Sequence, residues 1–292
     1  MSEPRDAMLP LPSGVELHLV RWGPEAAGDG AARRPVLLVH GLASNARLWD
    51  GVARVLADAG HPVVALDQRG HGRSSKPDGP YDVPTVADDL ALVVAALGWD
   101  RPVVAGQSWG GNVVVELAAR HPAAVGAIVA VDGGFIDLKD RFPDHADAEA
   151  VLAPPRLAGT PWDALEAMVL RIAADWPDRG AGTLANFERR ADGTGAPWLT
   201  YERHLAVLRG LWEHRPADAF RRITVPLHFV VADAHAAWSA SKRSAVEAAL
   251  AVLPRGRASW FPDAHHDVHA QHPDAVARVV REAAAEVDAP PA

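Results

Sequence analysis

A serine between glycines is the first feature of this sequence that could carry out chemistry. Ser108 lies in G-Q-S-W-G, between an apolar run typical of a strand and a segment typical of a helix. A residue at the apex of a sharp strand-to-helix turn has strained backbone angles, so its neighbours two positions away must be small, as Gly106 and Gly110 are. Such a turn exposes the hydroxyl beyond the carboxyl edge of the sheet, where ligands bind in open α/β sheets. The spacing therefore predicts a nucleophilic serine.

A serine hydroxyl is a poor nucleophile unless a base takes its proton. Four histidines follow the last predicted strand: His265, His266, His269 and His272. Imidazole is also the commonest metal ligand, so a cluster of histidines could instead bind a metal ion. No carboxylate or cysteine completes a zinc spacing such as H-E-x-x-H. The sequence therefore predicts no metal site, and we interpret His269 and His272 as polar residues before the helix that begins at Pro273.

The elements that must position these residues alternate between strands and helices along the chain. Short apolar runs predict strands at 15–22, 36–39, 62–66, 102–105, 127–131, 225–232 and 257–261. Helical periodicity predicts helices at 45–59, 85–97, 112–120, 239–253 and 273–287. Alternation of this kind implies right-handed crossovers and a mainly parallel sheet.

The alternation stops between about residues 135 and 215. This segment contains helical periodicity at 162–175 and 201–212, several prolines and no convincing buried strand. The sequence thus predicts a core domain of residues 1–134 and 216–292, with an α-helical lid of residues 135–215 inserted after the sixth strand. Trp162 and Trp212 either line a substrate pocket under this lid or pack inside it.

With these motifs in this order, the chain resembles the α/β-hydrolase superfamily over nearly its whole length. The resemblance rests on the Ser108 turn, on His40-Gly41-Leu42, on D-Q-R-G-H-G-R-S at 67–74 and on F-P-D-A-H-H-D-V-H at 261–269. It implies an α/β-hydrolase fold with a mainly parallel eight-stranded sheet flanked by helices. Within the 67–74 loop, Asp67 and Arg69 are expected to be structural, through a buried ion pair. The substrate is specified less well, because one scaffold hosts many reactions.

The resemblance also implies a triad of serine, histidine and acid. The family pattern of a small residue, histidine and aspartate places the base at His266, with His265 at the usual glycine position. The usual acid position after the seventh strand holds His235, and Asp233 lies two residues earlier. A second acid position known in the superfamily, the end of the sixth strand, holds Asp132. We favour Asp132 because it needs no shift of register; Asp233 is the alternative acid, and a capping or structural role for Asp132 stays open.

The oxyanion hole is expected to consist of two backbone N–H groups, those of Leu42 and Trp109. His40 and Gly41 are expected beside the substrate pocket. We expect His40 to organise its own loop by hydrogen bonding and not to act as a base.

Composition excludes several other classes of protein. The net charge is −8 and no block of basic residues occurs, which disfavours nucleic-acid partners. No cysteine is present, so a thiolate nucleophile and a disulfide are excluded. No apolar run approaches the roughly 18 residues of a membrane helix, and the first residues do not resemble a secretory signal. A cytoplasmic protein with a small-molecule substrate and no cofactor is expected, and no feature of the sequence indicates an oligomeric state.

Serine at the apex separates this chain from superfamily members that open epoxides or displace halide, which use aspartate there. A serine forms an acyl-enzyme, so we expect a hydrolase for an ester, lactone or amide of a small to medium, mostly apolar molecule. Two alternatives within the fold are a meta-cleavage-type C–C hydrolase and a perhydrolase. A further alternative is a non-catalytic protein of this fold that only binds a ligand.

Overall fold

A computed structural model describes residues 3–24, 33–234 and 236–289 of the chain, so His235 lies outside the described residues. The strands within these ranges are β1 (Arg5–Pro10), β2 (Glu16–Trp22), β3 (Val36–Val39), β4 (Val63–Leu66), β5 (Val103–Gln107), β6 (Ala127–Val131), β7 (Thr160–Pro161), β8 (Phe187–Arg189), β9 (Thr194–Pro197), β10 (Leu227–Ala232) and β11 (Gly256–Phe261).

Eight of these strands form one sheet in the order β1-β2-β4-β3-β5-β6-β10-β11. Strands β1 and β2 pair antiparallel, and β2 pairs antiparallel with β4. The remaining neighbours are parallel, which confirms the mainly parallel eight-stranded sheet. Strand β1 was not expected, because its residues lie at a partly exposed edge and form no continuous apolar run.

The α-helices within the described ranges are α1 (Asp50–Asp58), α2 (Val83–Ala96), α3 (Trp109–Arg120), α4 (Leu138–Arg141), α5 (His145–Leu152), α6 (Trp162–Ala173), α7 (Ala181–Leu184), α8 (Tyr201–Glu213), α9 (Pro216–Phe220), α10 (Ala236–Leu250), α11 (Val268–Gln271) and α12 (Pro273–Asp288). Short 3₁₀ turns cover Ala46–Trp49 and Pro122–Ala124. Asn45 caps the first of these turns, with its side chain accepting a hydrogen bond from the amide of Arg47.

Helices cover both faces of the sheet, so its central parallel strands lack the alternation of apolar and polar residues. Helices α1 and α12 pack on one face, through residues such as Leu56 and Val280. Helices α2, α3 and α10 pack on the other, through residues such as Leu90, Leu117 and Val246. All residues of β3, β5 and β6 are buried, as expected for parallel strands covered on both faces.

Residues 135–215 connect β6 to α9. We predicted a purely helical segment here, but the structure differs. These residues contain α4 to α8 and also a three-stranded antiparallel sheet in the order β7-β9-β8. The pair Asp192-Gly193 lies in the turn between β8 and β9 and is a hairpin signal that the sequence already carried. The strands themselves have two to four residues and are partly exposed, so no apolar run indicates them.

This inserted segment, residues 135–215, rests on the loops at the carboxyl edge of the main sheet. Asn45 Nδ2 donates to the carbonyl oxygen of Gly182 at 2.9 Å. Arg203 in α8 donates to the carbonyl oxygen of Lys76 at 2.9 Å. In the described ranges, none of the helices has the length and apolar character required to cross a bilayer.

Candidate active site

Ser108 occupies a strained turn between β5 and α3. Its φ of 54° and ψ of −123° lie outside the common regions for a residue with a side chain. A Cβ atom on Gly106 would overlap the carbonyl oxygen of Gly110, and one on Gly110 would overlap the carbonyl oxygen of His40. The glycines that flank the serine are therefore a steric condition of the turn, as the spacing predicts. The Ser108 amide donates to the carbonyl oxygen of Val131 at 2.9 Å, which ties the turn to the end of β6.

Asp132 follows Val131 directly, and the structure brings its carboxylate to the predicted base. His266 Nδ1 lies 2.6 Å from Asp132 Oδ2. The Asp132 side chain is fully buried, whereas the His266 side chain is 52% exposed. Asp132 also has a positive φ, 42°, a strained value of the kind that occurs at functional sites.

The alternative acid, Asp233, has a different partner. Its Oδ2 atom accepts a hydrogen bond from Arg243 Nη2 at 2.6 Å. Its amide donates to the carbonyl oxygen of Phe261 at the end of the neighbouring strand. Of the two acids, the structure places only Asp132 in contact with His266.

The contact between Asp132 and His266 changes the proton affinity of both groups. Burial would raise the pKa of the Asp132 carboxyl, but the hydrogen bond and charge of His266, followed by those of Lys242, bring this pKa below its ordinary value. Desolvation would lower the pKa of the His266 imidazole, but the hydrogen bond and charge of Asp132 outweigh it and raise that pKa. The pair thus favours an ionised carboxylate beside a base that readily accepts a proton.

Lys242 in α10 is a member of this site that sequence reasoning missed. Its ammonium lies 2.7 Å from Asp132 Oδ1 and 2.8 Å from Oδ2, and it donates to the carbonyl oxygen of Ala232 at 2.7 Å. The segment S-A-S-K-R-S has the composition of an exposed helix surface, so no local signal indicated a buried contact.

Gln107, the residue before the serine, contacts the histidine loop. Its Nε2 atom lies 3.2 Å from the carbonyl oxygen of His266 and 3.3 Å from Asp267 Oδ1. Among the residues that the structure describes, Ser108 and His266 share no hydrogen bond. Hydrogen bonds between catalytic groups are often long without substrate and tighten when it binds.

The His40-Gly41-Leu42 turn lies against the serine turn. A Cβ atom on Gly41 would overlap Gln107 Oε1 and would lie 3.0 Å from Ser108 Cβ. Leu42 is the next residue after Gly41, and Trp109 is the first residue of α3. The positive end of this helix dipole lies next to Ser108.

His40 is fully buried and holds its own loop through hydrogen bonds. Its place beside a substrate pocket stays a prediction. The amide of Gln68 donates to His40 Nε2 at 2.9 Å, which leaves the proton on Nδ1 to be donated to the carbonyl oxygen of Gly41 at 2.7 Å. Burial lowers the pKa of His40, which favours this neutral form. The expectation that it organises its loop by hydrogen bonding is confirmed.

The two tryptophans predicted near the pocket have partners within the inserted segment. Trp162 Nε1 donates to Glu166 Oε1 at 2.6 Å, and the Arg189 guanidinium lies over its ring. Trp212 Nε1 donates to the carbonyl oxygen of Phe142 at 2.8 Å. These contacts fit the alternative interpretation, in which the tryptophans pack inside the segment.

The 67–74 loop contains its expected buried ion pair, but with a different partner. Arg69 binds Asp89 of α2 through two hydrogen bonds, at 2.6 and 2.8 Å. Asp67 instead accepts hydrogen bonds from the amides of Ala46 and Arg73 and lies 2.9 Å from His18 Nδ1. The two residues therefore hold separate parts of the fold, because Arg69 binds a helix, whereas Asp67 binds β2, the 3₁₀ turn at Ala46 and its own loop.

The histidine cluster does not form one site. His269 is fully buried in α11 with its ring 4.3 Å from that of Trp49, so our interpretation of it as a polar residue before the last helix is wrong. His272 precedes α12, as expected. In the described ranges, no three His, Cys, Asp or Glu side chains are arranged to hold a metal ion.

The fold and the serine turn define the class of protein. Residues 34–245 match the family model of the alpha/beta hydrolase fold, so the chain belongs to this family. Lipase LipV of Mycobacterium tuberculosis is 34% identical over 168 residues, which cover 56% of this chain and 57% of LipV. The non-heme haloperoxidase of Rhodococcus erythropolis is 36% identical over 110 residues, which cover 38% of this chain and 37% of that protein.

The chain thus matches these curated relatives over little more than half of their length at most. The solved structure of E-2-(acetamidomethylene)succinate hydrolase superposes with a TM-score of 0.78 at 22% identity, covering 98% of this chain and 100% of that one. The enol-lactonase of Burkholderia xenovorans superposes with a TM-score of 0.66 at 21% identity, covering 95% of this chain and 99% of that one. At these identities, the superpositions establish the fold alone.

Proposed function

We propose that this protein is a serine hydrolase that cleaves an ester, lactone or amide through an acyl-enzyme. The observation that carries the proposal is the 2.6 Å contact between His266 Nδ1 and Asp132, beside the strained turn of Ser108. The serine, the histidine and the acid come from three separate segments of the chain. A shared carboxyl edge of the sheet is where such a site is expected in an open α/β fold.

In the proposed mechanism, His266 Nε2 takes the proton of the Ser108 hydroxyl while Oγ attacks the substrate carbonyl carbon. Asp132 accepts the hydrogen bond from Nδ1, fixes the tautomer and stabilises the imidazolium that forms. The amides of Leu42 and Trp109 donate to the oxyanion of the tetrahedral intermediate. His266 then protonates the leaving alcohol or amine, and the acyl group remains on Ser108.

In the second half of the reaction, His266 takes a proton from water, and the resulting hydroxide attacks the acyl-enzyme. The tetrahedral intermediate collapses with release of the carboxylic acid and return of the proton to Ser108 Oγ. These steps need no metal or cofactor, so the proposed site is formed by protein groups alone. The likeness to lipase LipV supports an ester as the substrate. A small to medium, mostly apolar molecule is the substrate that we propose for this site.

A fluorophosphonate probe tests this proposal directly, because it reacts with an activated serine and not with an ordinary one. We expect the probe to label the wild-type protein at Ser108, and the Ser108→Ala variant to stay unlabelled. p-Nitrophenyl esters of graded chain length then measure turnover and the acyl preference. Folded wild-type protein that binds ligands but is neither labelled nor active would instead support the non-catalytic alternative.

The likeness to a non-heme haloperoxidase supports a second candidate reaction, perhydrolysis. Hydrogen peroxide would replace water as the nucleophile that attacks the acyl-enzyme, and the product would be a peracid. Adding peroxide to the esterase assay and measuring bromide oxidation by the product distinguishes the two. Acid as the product in excess peroxide supports plain hydrolysis.

A further inference from the structure

The carboxylate of Asp132 has two basic partners, and only one of them belongs to the proposed triad. His266 Nδ1 contacts Oδ2, while Lys242 Nζ contacts both oxygens and the amide of Ala232 donates to Oδ1 at 3.1 Å. The Lys242 side chain is 18% exposed and the Asp132 side chain fully buried, so water screens this ion pair only weakly. Each carboxylate oxygen therefore accepts at least two hydrogen bonds.

The geometry of Lys242 also fixes the orientation of the carboxylate. Its ammonium is anchored by the carbonyl oxygen of Ala232, at the end of the strand next to Asp132. A contact with both oxygens at 2.7 and 2.8 Å holds the plane of the carboxylate relative to α10. The histidine thus meets an acid whose rotation is already restricted.

Protonation of His266 would place two positive charges on one carboxylate. The ammonium of Lys242 opposes the imidazolium that the aspartate stabilises, because both carry positive charge. Each positive charge close to a titratable histidine favours the neutral form of the ring. This effect is strongest where water is excluded, because the effective dielectric constant is low there.

We propose that Lys242 is a positioning residue of the active site that orients Asp132 and extends the neutral, base-competent form of His266 to lower pH. This inference rests on the proposed function, because it assigns Lys242 a role in the same triad. Among the described residues, Lys242 is the lysine whose ammonium contacts the triad acid.

Other charged groups near His266 come from its own loop and from the elements packed against it. Asp267 is the adjacent acid; burial raises the pKa of its carboxyl and so weakens its negative charge in mild acid. His269 interacts with His266 from α11, and burial lowers the pKa of His269 to about 3, so it is uncharged in the working range. His265 lies on the same loop. Among the described residues, Lys242 is the ammonium group in direct contact with the triad acid.

The pH dependence of kcat/KM separates this role from a purely structural one. In Lys242→Met the imidazolium loses its competing charge, so the acid limb should move to higher pH by about one unit. At pH values below both apparent pKa values, that shift corresponds to a rate about tenfold lower than that of the wild type. Lys242→Arg keeps the charge and should restore most of the acid limb.

Arg243 is the matched control, since it is the next residue on the same helix and pairs with Asp233 instead. Arg243→Met removes one positive charge without touching Asp132 and should leave the acid limb in place. An equal shift in Lys242→Met and Arg243→Met would overturn the proposal, as would an acid limb unchanged in Lys242→Met. If Lys242→Met does not fold, Lys242→Gln is interpreted in the same way, because glutamine keeps a hydrogen bond without the charge.

An NMR titration of the His266 ring, assigned with His266→Gln, makes the test independent of turnover. We expect the ring to titrate about one unit higher in Lys242→Met than in the wild type. Coincident titration curves contradict the role of Lys242, whatever the activity. Absence of fluorophosphonate labelling in the wild type contradicts the proposed function, so the two failures are distinguishable.

Discussion

The backbone of Gly133 lies directly against the backbone of Ser108, because a Cβ atom on Gly133 would overlap the serine carbonyl oxygen and lie 2.7 Å from its Cα. These residues follow the ends of two neighbouring parallel strands, β5 and β6. The Ser108 amide and the carbonyl oxygen of Val131 join the same two strand ends at 2.9 Å. The position of the nucleophile turn relative to the triad acid of the proposed site is thus fixed by this close backbone contact.

Gly133→Ala should therefore damage both stability and activity. The new methyl group meets backbone atoms that cannot rotate away, so we expect a loss of about 1–3 kcal/mol in the free energy of unfolding and a large loss of kcat. Gly98→Ala is the control, since its Cβ atom meets open space and only the positive φ of 64° is strained. Urea denaturation and the ester assay measure the two effects. Wild-type kcat in folded Gly133→Ala would contradict the proposed coupling between the two turns.

Asp132→Asn and Asp233→Asn distinguish the two acids in solution. Asparagine at 132 cannot hold the imidazole tautomer or stabilise its charge, so kcat should fall by about 10³–10⁴-fold. Asp233 contacts Arg243 and not His266, so kcat of Asp233→Asn should stay within a few fold of wild type. Near wild-type activity in Asp132→Asn, with a collapse in Asp233→Asn, would contradict the assignment of the acid.

The sequence favoured Asp132 on register alone and left Asp233 open, and the arrangement of the sheet explains why. Strands β6 and β10 are parallel neighbours, with Val131 opposite Val230, so residues that follow either strand reach the same edge. Which carboxylate meets His266 depends on side-chain direction at the two strand ends, and local spacing does not encode it. The serine turn was predictable because its requirement for small neighbours is local.

The contact of Lys242 with Asp132 is another that local sequence spacing does not encode. The helix that carries Lys242 was predicted, but the contact of Lys242 with Asp132 depends on how α10 is placed relative to residues just after β6 and at the end of β10. The inserted segment was predicted by the loss of strand and helix alternation. Its three short strands were not, because they pair with each other over two to four residues and bury little apolar surface.

The buried pair of Arg69 and Asp89 should be important for stability. Both side chains are about 5% exposed or less and form two hydrogen bonds. Asp89→Asn removes the counter-charge of a buried guanidinium, and we expect a loss of about 3–5 kcal/mol in the free energy of unfolding. Asp88→Asn is the matched control, because Asp88 and its partners Arg120 and His121 are each more than a third exposed, and such pairs contribute about 1 kcal/mol or less. Equal losses by urea denaturation would show that burial does not decide the value of these pairs.

His269 should make the fold sensitive to acid. Burial lowers the pKa of its ring from the ordinary 6.5 to about 3 in the folded state, and neither ring nitrogen has a hydrogen-bond partner among the described residues. Between these two values the unfolded chain binds a proton that the folded chain does not. Stability from this residue is therefore present above pH 6.5 and is lost as the pH falls toward 3.

His269→Leu removes this proton uptake while keeping an apolar contact with Trp49. The free energy of unfolding of the variant should fall less steeply with decreasing pH than that of the wild type, by up to about 1.4 kcal/mol per pH unit. Urea denaturation at pH 7.5, 6, 5 and 4 measures the difference between the two slopes. Parallel curves over this range would mean that the His269 ring takes up its proton over the same pH range in the folded and the unfolded chain. The ring would then need a polar partner in its site beside Trp49.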